Sequence, residues 1–194
     1  MSLILASSSP YRAQLLRRLR VPFTVQSPNV DETPQAGEAP QALALRLALA
    51  KAQVVAQQHP GSVIIGADQV ATVKDKPIGK PGSFERAQAQ LRQLRGQTVL
   101  FHSALCVHDG SRYELRDVVT RCVFRELIDA EIDAYLRQEQ PFDTAGSAKA
   151  EGLGISLMQA MHSDDPTAII GLPLIALSDM LRRFGVNPLL GSAA

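Results

Sequence analysis

The chain has 194 residues, with 20 Lys plus Arg against 19 Asp plus Glu and a formal net charge of +1. That balance argues against a general nucleic-acid binder, which carries a clear basic excess. An aromatic share of 5% without Trp also leaves too little surface for a single-strand stacking platform.

Cys106 and Cys122 lie far apart in the sequence and share no metal-ligand spacing. They fit a reduced cytoplasmic protein with buried thiols better than a disulfide scaffold. The start of the chain has no basic segment ahead of a long apolar core, so no signal peptide is expected, and no stretch approaches the length of a membrane span.

Leu3-Ile4-Leu5-Ala6 reads as a short apolar strand running into Ser7-Ser8-Ser9-Pro10. Ser9 is a good helix N-cap and Pro10 suits the first turn. The helix is expected to continue through Leu15, Leu16 and Leu19 until Pro22, with a second strand at Phe23-Thr24-Val25. A proline-rich loop carrying Val30-Asp31-Glu32 follows. From Gln41 the pattern turns helical, with Leu43, Leu47, Ala50 and Val54 on one face and Lys51 beside it.

Pro60-Gly61 breaks the chain before Val63-Ile64-Ile65-Gly66-Ala67-Asp68-Gln69-Val70. This apolar run reads as a strand buried on both faces. Asp68 is expected where the strand ends or bends, the region in which open α/β sheets place ligands. A carboxylate there is costly unless a partner, a metal or water meets it. An Asp capping the turn after a strand would give the same pattern.

Thr72 to Pro81 reads as a hairpin or loop, and Ser83 caps a helix with Phe84, Ala87, Leu91 and Leu94 inside. Val99 to Val107 is a long strand, and Asp109-Gly110 is a hairpin turn. On the return strand Tyr113 and Leu115 alternate with Arg112, Glu114 and Arg116, so one face is expected to be wet. Asp129 starts a helix with Ile132, Tyr135 and Leu136 inside. Ala145 to Ile155 is rich in glycine and small residues, which suggests close approach of backbone to a ligand or another strand. Leu174, Leu177, Leu181 and Phe184 mark a last helix. The whole reads as a mixed sheet with helices packed around it, one domain over residues 1–190 and a disordered tail at 191–194.

There is no Walker-A loop, complete dinucleotide fingerprint, zinc-protease helix or paired-cysteine site. What remains is charge at the edges of apolar elements. The Ser7 and Ser9 hydroxyls, with backbone amides at a helix start, make a natural phosphate cradle. Arg12, Lys51 and Lys80 supply cations, and Glu32 and Asp68 supply anions. Each cation alone has the pattern of a solvated surface charge; only their convergence would make a site.

The opening Leu3 to Arg12 resembles the start of the Maf proteins, which are nucleoside triphosphate pyrophosphatases. Val30-Asp31-Glu32, Ala50-Lys51-Ala52, Gly66-Ala67-Asp68, Gly79-Lys80-Pro81 and Gly171-Leu172-Pro173 match further blocks in the same order. The resemblance implies an α/β fold, two-lobed with a mixed sheet and flanking helices, similar to inosine triphosphate pyrophosphatases, and usually a homodimer. It implies a nucleotide in the cleft between the lobes and pyrophosphate release with help from a divalent cation (Mg²⁺, Mn²⁺ or Co²⁺). Carboxylates facing a triphosphate need such a cation between them, so Glu32 and Asp68 are the expected metal ligands. Asp68 is also the expected general base, with Lys51, Lys80 and Arg12 neutralising charge on the transferring group and the leaving pyrophosphate.

Three positions depart from the thymidine/uridine branch of that family: Tyr11, Gln69 and Glu151. They resemble the branch acting on 7-methyl-GTP. A carboxylate at 151 suits the two adjacent donors of guanine, and Tyr11 suits stacking by a cationic base. A pyrimidine triphosphate pyrophosphatase and a non-catalytic nucleotide-binding regulator are the competing readings.

Overall fold

A computed structural model describes residues 2–190. The tail expected to be disordered, residues 191–194, lies outside the described residues. The strands are β1 (Leu3–Ala6), β2 (Thr24–Gln26), β3 (Val63–Val73), β4 (Lys76–Ile78), β5 (Thr98–His108), β6 (Tyr113–Phe124) and β7 (Met158–His162). The helices are α1 (Pro10–Arg17), α2 (Pro40–Gln58), α3 (Phe84–Leu94), α4 (Asp129–Glu139) and α5 (Leu174–Arg183). One seven-stranded sheet runs in the order β2-β1-β3-β5-β6-β7, with β4 also on β3. β1 pairs in parallel with β2 and β3, and every other pairing is antiparallel.

The shape of the sheet follows from how β3 shares its edges. On one side β5 accompanies it without a break, from Ile64↔His108 to Thr72↔Leu100. On the other side β1 covers it only as far as Ala6↔Gly66, and β4 joins only at Ala71↔Ile78. Residues 67–70 therefore keep an unpaired edge, and the two lobes part there. One lobe packs α1 and α5 under the sheet, with Leu5, Leu16, Ile65 and Leu177 in its core, and α2 above it, with Ile64, Leu47 and Val55. The other lobe gathers Phe101, Leu91, Phe124 and Leu136 between the sheet and α3 and α4.

Asp68 was expected at a strand end, yet β3 runs on to Val73. Pairing of Asp68 with Ala104 on β5 carries the strand through. It is β1 that stops, so the crevice opens beside β3 and at the carboxyl end of its neighbour. Helix α1 is also shorter than expected, because Arg18, Leu19 and Arg20 close with i→i−3 bonds and Arg20 turns to φ +55°. On α2 the buried face is Leu43, Ala44, Leu47, Ala48, Lys51, Ala52 and Val55, while Ala50 and Val54 are only partly covered. The stripe turns toward its alanines because the helix lies so close to the sheet. At the start of β6, Leu115 packs against the core while Tyr113, two residues before it, is 51% exposed.

That close approach depends on Gly66. A Cβ there would lie 2.1 Å from the Ala48 carbonyl oxygen and 2.9 Å from the Ala52 nitrogen, both backbone atoms of α2. Helix and strand meet where no side chain fits, and this brings Lys51 down to the sheet. Gly66→Ala is expected to push α2 away and destabilise the fold by about 1–3 kcal/mol, the range for overpacking a filled core. Chemical denaturation would measure that loss, and unchanged stability would contradict the packing.

Candidate active site

A cleft of about 660 Å³ sits over the open edge of β3. Its lining includes Ser8, Ser9, Tyr11, Arg12, Glu32, Lys51, Asp68, Gln69 and Lys80. Most of the residues picked out by chemistry alone thus meet in one place. The delivery is topological: β1 ends and hands the chain to the serine turn, and β4 ends and hands it to Gly79-Lys80. Both turns flank the gap at 67–70.

At the centre is Lys51. Its Nζ donates to Asp68 Oδ1 at 2.7 Å and lies 2.6 Å from Glu32 Oε1. Lys51 and Asp68 side chains are 7% and 11% exposed, whereas Glu32 on the 28–40 loop is 61% exposed. A buried carboxylate needs a counter-charge, and Lys51 supplies it. Partial burial would raise the pKa of Glu32, but the hydrogen bond from Lys51 and the charges of Lys51, Lys80 and Arg12 outweigh it. The carboxyl is therefore held below its ordinary value of 4.5. Glu32 is ionised at neutral pH, and its pairing with Lys51 is lost only as pH falls through that lowered folded value.

Arg12 lies in the first turn of α1, where its Nε donates to the Gly171 carbonyl at 2.9 Å. Desolvation lowers its pKa, against the raising influence of Asp68 and Glu32. Ser9 caps α1, its Oγ accepting from Arg12 N at 3.4 Å. Ser7 is buried and absent from the cleft lining, and its Oγ accepts from Ser9 N at 3.1 Å. It fastens the bend, while the neighbouring Ser8 lines the cleft.

Gln69 lines the cleft, and its Nε2 reaches Ser103 Oγ and the Ala168 and Ile169 carbonyls, each at 3.0 Å. Tyr11 stands in the lining beside Asp143, with 3.5 Å from its hydroxyl to Asp143 Oδ2. Glu151 is exposed and does not belong to the cleft lining.

The sequence reading missed Asp143 and also Asp165. Asp165 is 2% exposed; its Oδ1 accepts from Thr167 N at 3.0 Å, and its Oδ2 from Ile175 N at 2.7 Å, at the start of α5. It thereby secures the loop whose carbonyls meet Arg12 and Gln69. An acid followed by Pro and Thr shortly before an apolar helix was the only available signal.

The chain matches the family described as Maf-like protein over residues 2–184. It is a member of that family. Among similar Maf-like relatives, the 7-methyl-GTP pyrophosphatase of Bordetella avium is 71% identical over 187 residues, covering 96% of this chain and 95% of that protein. The protein of the same name from Bordetella pertussis is 68% identical, covering 99% and 96%. That from Burkholderia thailandensis is 58% identical, covering 94% and 87%. Among solved structures, a HAM1 protein from Coxiella burnetii aligns with a TM-score of 0.51 at 18% identity, over 66% of this chain and 74% of that one, a likeness of fold.

The position of Glu32 can be checked by NMR titration. Lys51→Met should raise the Glu32 pKa toward or above 4.5, since it removes both the hydrogen bond and the nearest positive charge. An unmoved titration would contradict the pairing.

Proposed function

We propose that this Maf-like protein hydrolyses 7-methyl-GTP to 7-methyl-GMP and pyrophosphate. The observation that carries the chemistry is the Lys51 ammonium held between Asp68 and Glu32 in a cleft flanked by Arg12 and Lys80. The choice of base is supported by relatives at 58–71% identity that bear that name.

In this reading the triphosphate lies along the open edge of β3. Water, held and deprotonated by the Asp68 carboxylate, attacks the α-phosphorus. The new P–O bond forms as the bond to the bridging oxygen breaks, and pyrophosphate leaves with the electron pair. Arg12, Lys51 and Lys80 neutralise the charge gathering on the transferring and departing groups. Such electrostatic preorganisation is the main protein contribution to phosphoryl transfer. The Ser9 turn and the start of α1 offer hydroxyl and amide donors to phosphate oxygens.

A divalent cation fits this donor set. Among the described residues no three His, Cys, Asp or Glu side chains form a ready metal cage. Magnesium, however, is commonly held by one or two carboxylates with substrate phosphates and water. Asp68 and Glu32 already flank one cation, the Lys51 ammonium, and would be the protein ligands. When bound, Mg²⁺, Mn²⁺ or Co²⁺ would offset repulsion between these carboxylates and the phosphates and polarise the reacting centre.

At the base end, Tyr11 offers a stacking face to the cationic purine. Glu151 accepts from the guanine donors, and Gln69 shapes the floor by holding the 168–169 carbonyls. Residues 1–190 act as one two-lobed domain in this reading, since β3, β5 and β6 contribute to both lobes. The two free, buried cysteines suit a reduced cytoplasmic setting. No described helix is long and apolar enough to cross a membrane. The proposal includes a homodimer.

Pyrophosphate release from 7-methyl-GTP, GTP, UTP and dTTP with each metal tests the reading. The methylated guanine nucleotide is expected to be cleaved best. Asp68→Asn should abolish turnover, by at least about 100-fold as general-base loss implies, while nucleotide still binds. Binding without release by the parent protein would favour the regulatory reading, and preference for UTP or dTTP would favour the pyrimidine one.

A further inference from the structure

Ala145, at the start of the glycine-rich stretch after α4, lines the cleft; beyond it the backbone closes around one residue, Lys149. Lys149 N donates to the Tyr135 hydroxyl at 3.1 Å. Its carbonyl accepts from Gly152 N at 3.0 Å. Gly154 lies so near that a Cβ there would be 2.5 Å from the Lys149 carbonyl oxygen and 2.6 Å from its nitrogen. Two hydrogen bonds and one close backbone approach thus hold the backbone of one lysine.

Its side chain reaches across to the first lobe. Lys149 Nζ lies 3.1 Å from Glu139 Oε1 and 5.5 Å from the centroid of the Tyr11 ring. The other Glu139 oxygen accepts from Leu153 N at 2.8 Å, two residues beyond Glu151. Glu139 therefore holds both the lysine and the loop that carries Glu151. Tyr11, in the first turn of α1, is only partly buried, and its hydroxyl is 3.5 Å from Asp143. An aromatic ring at a helix start without dense packing needs such contacts to keep its orientation.

We infer that Lys149 is a positioning residue for base selection. It bridges Glu139 and Tyr11, and so sets the ring of Tyr11 and the loop bearing Glu151 in register across the mouth of the cleft. This rests on the proposed nucleotide pyrophosphatase reading, with the base at Tyr11. It goes further by naming a residue that acts through Tyr11 and the loop and touches neither the phosphates nor the reacting atoms.

Steady-state kinetics on Lys149→Met and Lys149→Arg test it. The parent protein is first assayed on the nucleotide panel, which decides the substrate reading independently. The variants are then compared on whichever nucleotide the panel prefers and on its closest competitor. Lys149→Met should raise KM for the preferred nucleotide roughly three- to tenfold, the range of a cation–π contact. Its kcat should stay near the parent value, and the preference over the competitor should narrow. Lys149→Arg, which keeps the charge, should recover most of the preference. An unchanged preference ratio in Lys149→Met would overturn the inference, as would a fall in kcat shared equally by all nucleotides. Circular dichroism melting of both variants separates loss of fold from loss of positioning: a Lys149→Arg protein that melts like the parent yet loses the preference as fully as Lys149→Met would also overturn it.

Discussion

Everything in the cleft depends on one ammonium group placed between two carboxylates. Asp68 sits in the middle of a buried strand, where an isolated carboxylate is costly. Lys51 supplies its counter-charge at 2.7 Å, and Asp68 in turn offsets the burial of a lysine on α2. Removing either partner of such a buried pair typically costs about 3–5 kcal/mol, because the other is left uncompensated. Glu32 completes the group from a proline-rich loop, its charge paired with the same lysine. The pair is therefore both a structural fastening and the charged floor of the cleft.

The sheet gives this floor its setting. Residues 67–70 of β3 have a partner on only one side, because β1 has ended and β4 has not begun. Two chain turns leave the sheet at that gap, and both carry polar groups toward it. α2 can bring Lys51 there only because Gly66 and the alanine face of the helix allow near contact. On the far wall, Asp165 organises the loop that supplies carbonyls to Arg12 and Gln69. Cations and anions from elements far apart in sequence are thus held against one another by the sheet rather than by a local motif.

Much of this was legible in the residues. The Ser9 cap with Pro10, the Ser83 cap, and the apolar faces of α4 and α5 follow from local rules, and the structure bears them out. The buried character of β3 was equally plain. The continuation of β3 beyond Asp68 was not, since it is set by pairing with β5, a partner about thirty residues away. Nor could periodicity place Lys51 within the buried face of α2, where the alanines and Gly66 pull the helix down. The charged residues could be chosen by type, but their convergence is tertiary. Lys149 escaped notice because a lone lysine in a glycine-rich loop has the pattern of a solvated charge.

The placement of the polyphosphate is most directly tested by a crystal structure with Mn²⁺ and a triphosphate whose α–β bridge is non-hydrolysable. Expected is an anomalous peak at coordination distance from the carboxylates of Asp68 and Glu32, with the phosphates running between Lys51, Lys80 and Arg12. A metal bound elsewhere, or a nucleotide lying outside the gap at 67–70, would contradict the central claim.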